Sequence, residues 1–141
     1  PNGMLVIRSE QSPQDRTKVT YDPPLPLLPA KLSHQPQIFE SKMTVYDLAT
    51  GTLRDRGSCQ TTITLLGKKQ LQILSKPSEA YVIQTTRQIH LQMAQANIQM
   101  TTAYAPNLGP IGESIDRQTR VLGLFGAKAH VAYWIFGKHL Q

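Results

Sequence analysis

Between Tyr21 and Pro29 the chain reads Tyr-Asp-Pro-Pro-Leu-Pro-Leu-Leu-Pro. Pro23, Pro24, Pro26 and Pro29 each lack an amide donor and fix φ, so neither a helix interior nor a central strand can absorb the stretch. Its local default is an extended, left-handed polyproline helix, which a partner can bind with little ordering entropy to overcome. Tyr21, Pro23, Pro24, Leu25, Pro26 and Pro29 are therefore candidate contacts of a docking arm, in the manner of an SH3 or WW ligand. Leu25, Leu27 and Leu28 leave a second option open, in which the stretch folds back on the body as a strap.

The arm sets the organisation. Met4 to Ile7 can form an edge strand, but Ser9 to Lys18 is polar and runs into the prolines, so residues 1–37 are expected to be a mostly flexible arm and 38–141 a globular domain. At 141 residues the chain can build one core, covering about two-thirds of the surface its unfolded form exposes. Basic residues outnumber acidic ones by four to three before residue 38 and by eleven to six after it, so the domain carries most of the net charge of +6. A positive domain favours phosphate-rich surfaces through a field that salt screens.

From Ile38 the pattern is one of short strands. Phe39, Met43 and Val45 share one parity against Lys42, Thr44 and Tyr46, and Thr50-Gly51 supplies a turn. Cys59 to Leu66 and Gln70 to Leu74 then read as a hairpin about Gly67-Lys68, with Lys68 and Lys69 at its tip. Residues 80–104 fit two patterns. Val82, Thr86, Ile89, Met93, Ala96, Met100 and Ala103 make a helical stripe with Ser78 as N-cap, while Ile89, Leu91 and Met93 alternate as a strand would, with a parity shift before Ile98 and Met100. Glu113 to Arg120 places Glu113 with Arg117 and Asp116 with Arg120 at i,i+4, which predicts a short helix. Val121 to Phe125, a Gly126 turn and Ala129 to Phe136 read as a final hairpin, with Trp134 expected in the core. The expected fold class is thus α+β: a single small domain of antiparallel hairpins packed with one or two helices, behind a proline-rich flexible arm.

No catalytic or metal-binding spacing appears. His34, His90, His130 and His139 show neither HxH nor HxxxH, and Cys59, the one cysteine, has no ligand partner near it in sequence. A non-enzymatic protein without cofactor or metal is expected. The lone cysteine also excludes an internal disulfide and fits a reducing compartment rather than secretion. No apolar run approaches the roughly 20 residues of a membrane-spanning helix, which predicts a cytoplasmic or peripheral membrane protein.

Two binding surfaces are predicted instead. Arg54, Arg56, Lys68, Lys69 and Lys76 form a candidate membrane- or nucleic-acid-binding patch, each cation near an anionic leaflet contributing about 1 kcal/mol. Gln88 to Gly112 holds no charged residue, so Ile89, Leu91, Met93, Ile98 and Met100 are candidates for self-association into a homo-oligomer, or equally for a core whose wet side carries glutamine.

Several stretches resemble rhabdovirus matrix proteins, the vesiculovirus type above all: Tyr21-Asp22-Pro23, Lys42-Met43-Thr44-Val45, Ile89-His90-Leu91-Gln92-Met93, and Leu122-Gly123-Leu124-Phe125 leading to Tyr133-Trp134. Leu108-Gly109-Pro110-Ile111-Gly112 is similar to a Gly-Pro turn in matrix proteins of bornaviruses and filoviruses. The resemblance implies a structural protein of the virion and host cell that self-associates beneath an anionic membrane, contacts the viral nucleocapsid and recruits host factors in budding. The alternative is a nucleic-acid-binding module, such as a viral RNA-binding or movement protein domain.

Overall fold

The computed structural model describes residues 4–73, 75–106, 108–121, 125–134 and 138–139, and every regular element among them is a β-strand. Eight strands form an antiparallel meander, each paired with the next: β1 (Leu5–Ser12), β2 (Thr17–Leu28), β3 (Gln37–Asp47), β4 (Leu53–Ile73), β5 (Lys76–Leu91), β6 (Ala94–Ala105), β7 (Gly109–Val121) and β8 (Phe125–Trp134). A short β9 (Lys138–His139) pairs with Leu71 and Gln72 of β4. The expected α+β class is overturned: the sheet is all-β. No helix among the described residues is long and apolar enough to cross a membrane.

The proline stretch belongs to this sheet. β2 pairs with β3 only from Thr17 to Asp22, and from Pro23 onward its one ladder partner is β1, through Leu25, Pro26 and Leu28. The missing amides therefore sit where no second strand asks for them, as an edge tolerates. Leu25 is 1% exposed and Pro26 and Pro29 are buried, so the apolar side chains of the expected arm face inward.

Other expectations are corrected by the pairing, and the open choice at residues 80–104 is decided. Gly67-Lys68 is not a turn: the two residues pair with Val82 and Tyr81 just past a bulge at Leu66, and β4 runs on to Ile73. Residues 80–104 are the two strands β5 and β6, with the break at Gln92-Met93. Its stabilisation comes from afar: Asp55, buried on β4, accepts the Gln92 amide at 2.9 Å and the Met93 amide at 3.0 Å. Ser78 caps no helix; its hydroxyl donates to the Lys76 carbonyl at 3.5 Å. Glu113 to Arg120 is part of β7, where residues four apart stand about 13 Å from each other and cannot pair. Asp116 instead meets His130 of β8 at 2.6 Å, and Glu113 accepts from Thr102 of β6 at 3.3 Å. Gly126 is not a turn but, within β8, pairs with Arg120 of β7, so the last hairpin is β7–β8; 122–124 and the side chain of Trp134 lie outside the described residues.

Alternation along β5 separates two cores. Ile89 and Leu91 point to one face, where they pack on Leu25, Met43 and Cys59, while Ala80 points to the other with Leu71, Ala103, Ala105 and Ile111. The first face is drawn closest at Gly57, between Met43 of β3 and Leu91 of β5. A Cβ there would overlap the His90 carbonyl oxygen and come within 2.8 Å of the Leu91 Cα. Only a residue without a side chain allows β4 and β5 to approach so closely. Gly57→Ala is expected to destabilise the fold by about 3 kcal/mol or more, because backbone rather than a mobile side chain must yield. Urea unfolding checks it, and a change under about 0.5 kcal/mol would show that the approach is not a constraint.

Candidate functional site: an apolar trough with a buried arginine

The face carrying Leu25, Met43 and Cys59 curls into a trough of about 850 Å³, lined by residues from β1 through β7. No ladder joins β1 to β8 among the described residues. Its apolar wall is made by Val19 and Leu25 of β2, Met43 and Val45 of β3, Ile89 and Leu91 of β5, and Ile98 of β6. These residues meet because the ladders put them on common rungs: Val19 faces Val45, Tyr21 faces Met43, Met43 faces Gly57, and Gly57 faces Leu91.

Of the polar residues that also line the trough, Tyr21, Cys59 and Arg87 stand among these apolar ones. Tyr21 donates its hydroxyl to Glu10 Oε2 at 2.9 Å. Burial, with the Glu10 charge and hydrogen bond adding to it, pushes the Tyr21 phenol above its ordinary value, so it stays protonated. Cys59 is 1% exposed, and burial likewise pushes its thiol up; Thr61 Oγ1, at 3.8 Å, is its hydrogen-bonding neighbour. Arg87 stands on β5 opposite Thr61 on β4 and Ile98 on β6. Its Nε and Nη2 are buried without a hydrogen-bond partner among the described residues. The Ser41 hydroxyl, on β3 opposite Cys59, is buried in the same way.

The residues expected to bind fall into different places. Tyr21 and Leu25 line the trough, and Pro23 and Pro24 lie on β2 between them. Ile89, Leu91 and Ile98 also line it, Met100 shares their face on β6, and Met93 is exposed at the β5–β6 turn. The uncharged span divides by parity: Gln88, Gln95, Asn97 and Gln99 are exposed, while Ile98 is buried.

The five cations do not gather. Arg54 bonds Asp47 at 2.6 Å and the Asp15 carbonyl at 3.3 Å, tying two turns together. The Thr50 amide, with Ala49 and Arg54 adding to it, holds the Asp47 carboxyl at about 2. Lys68 pairs with Glu79 at 3.2 Å and lies over the Tyr81 ring, 5.4 Å from its centre. Thirteen residues of strand separate Arg56 from Lys69, a distance of about 40 Å along β4, and Lys76 begins β5 at that far end.

Sequence reasoning passed over Arg87. The signal was present: within the alternation of Ile83, Thr85, Arg87, Ile89 and Leu91, one charge shares parity with the apolar residues. Among the described residues there is no group of three or more His, Cys, Asp or Glu able to hold a metal ion. No protein-family model matches the chain, and no curated protein or solved structure matches it significantly.

The raised values fix a pH dependence. Groups that stay protonated when folded contribute fully below their unfolded values and lose that contribution as pH rises toward their folded ones. Stability is therefore expected to fall above pH 9.0 as the unfolded chain's Cys59 ionises, and further above pH 10.0 as its Tyr21 does. Exposed Lys68, held up by Glu79, adds to the loss above 10.5. Urea unfolding across the alkaline range should show Cys59→Ala flattening the first part of the decline and Tyr21→Phe the second. Slopes unchanged by either variant would contradict the placement of both groups.

Proposed function

We propose that this protein is a non-enzymatic binding protein that holds an apolar small molecule in the trough of its curled sheet. One observation carries the reading: side chains from seven consecutive strands converge on one concave space, with an apolar wall from β2, β3, β5 and β6. Pockets that take drug-sized ligands measure about 300–1,000 Å³, and a trough of about 850 Å³ falls within that range. Two of its titratable lining residues, Tyr21 and Cys59, suit holding better than turnover. Tyr21 and Cys59 are both kept protonated by burial, and a nucleophile needs the opposite shift or an adjacent base.

The assembly role implied by the matrix-protein resemblance would rest on a shared basic side. Arg54 and Arg56 stand at one end of β4 and Lys69 and Lys76 at the other, with Arg54 and Lys68 already paired to acids, so that role draws no support from their arrangement.

A neutral, environment-sensitive probe such as N-phenyl-naphthylamine is expected to brighten on binding the protein. Ala96→Trp, which fills the trough from β6, and Ile89→Lys, which places a charge in its wall, should each weaken binding at least about tenfold, the equivalent of 1.4 kcal/mol. Gln88→Lys, on the exposed parity beside Ile89, should leave it unchanged. Equal binding by all four proteins would place the probe elsewhere.

A further inference from the structure

We propose that the ligand is a single-chain carboxylate amphiphile, its head held by Arg87 and its tail running along the apolar rungs toward Leu91 and Val45. The inference rests on the trough being the binding site and names the chemistry of what fills it.

Arginine does not deprotonate in a protein, so Arg87 carries its charge wherever it lies. Arg87 is half-buried as a residue, but donors of a charged group that are buried without partners are costly for a fold to keep. Nε and Nη2, the two buried nitrogens without partners, form one edge of the guanidinium and carry two parallel N–H groups, which a head group reaches by displacing the atoms that cover them. Two parallel donors match the two oxygens of a carboxylate in a bidentate pair.

Among the described residues, no group supplies that anion. Glu10 and Asp15 are the carboxylates among the trough's lining residues, and both are exposed. Glu10 accepts from Tyr21, and Asp15 from Ser12 at 2.8 Å. Tyr21 and Cys59 feel the Arg87 charge, yet both remain protonated. A second cation marks the same end of the trough: Arg117 of β7 lies opposite Ile98, which lies opposite Arg87, so two arginines flank one buried isoleucine on a single rung.

The apolar part runs away from this rung in one direction. Moving along the ladders from Arg87, the same face presents Ile89, then Leu91 with Met43, then Val45 with Val19. Three same-face steps span about 20 Å, the shape of an extended acyl chain rather than of a compact ring system. An anionic head at one end and a linear apolar path from it define the ligand class.

The test displaces the neutral probe from the full chain with hexadecanoate, hexadecanol and hexadecyl phosphate. Hexadecanoate is expected to compete about 10- to 100-fold better than hexadecanol, the value of a charge-assisted bidentate contact. Preference for the phosphate over the carboxylate would overturn the assignment of the head. Arg87→Met should abolish the preference of acid over alcohol while raising the melting temperature of the ligand-free protein, because an unpaired charge is gone. Arg87→Lys, which offers a point charge in place of a fork, should retain only part of the preference, and Arg117→Met, at an exposed position, should lower it less than Arg87→Met. If the probe binds but acid and alcohol displace it equally from the unmodified protein, the anchor is wrong and the trough reading stands. If the probe does not bind, both fall.

Discussion

The antiparallel ladder between β4 and β5 is the constraint from which the rest of the molecule follows. Sixteen residue pairs join the two strands, from Gly57↔Leu91 to Ile73↔Lys76. Because side chains alternate with a period of two, that register decides which side of the sheet each one meets. A slip of one residue would carry Arg87, Ile89 and Leu91 to the outer face and bring Gln88 and His90 into the trough. Gly57 permits the close approach, and Asp55 holds the turn that returns the chain as β6.

The two faces of the sheet around the trough then differ in character. Outside, Gln60, Gln88, Asn97 and Gln118 stand on successive strands at paired positions, a polar row without charge. Inside, apolar side chains surround a guanidinium edge that the fold leaves unsatisfied. An arrangement of this kind sacrifices stability at one point, and functional sites are where proteins tolerate such local inconsistency. Repacking Arg87 as an apolar residue would make a better core and a less selective trough.

Part of this was legible in the sequence. The parity of Phe39, Met43 and Val45, the Thr50-Gly51 turn and the strand character of Met4 to Ile7 all reflect local alternation or local turn chemistry, and each has its place in the sheet. What was not legible depends on distant partners. The prolines of β2 exclude a central strand, but the chain alone does not reveal that β3 leaves β2 after Asp22 and makes those positions an edge. The break at Gln92-Met93 is capped by a carboxylate 37 residues away, so the segment carries too little local turn signal to settle strand against helix. Glu113, Asp116, Arg117 and Arg120 have helical spacing by coincidence of composition, and β6 and β8 on either side override it. The candidate site was half visible: Tyr21, Leu25, Ile89, Leu91 and Ile98 were singled out for separate reasons, and only the topology makes them walls of one trough with Arg87 among them.

The most direct measurement of this account is an NMR titration of arginine-labelled protein with hexadecanoate carrying a labelled carboxyl carbon. Contacts from the carboxyl to the Arg87 Nε–H, with the tail methyl near Val19 and Val45, are the predicted result. Contacts to Gln88 or Asn97 on the opposite face, or an Arg87 signal that the ligand leaves unmoved, would contradict it.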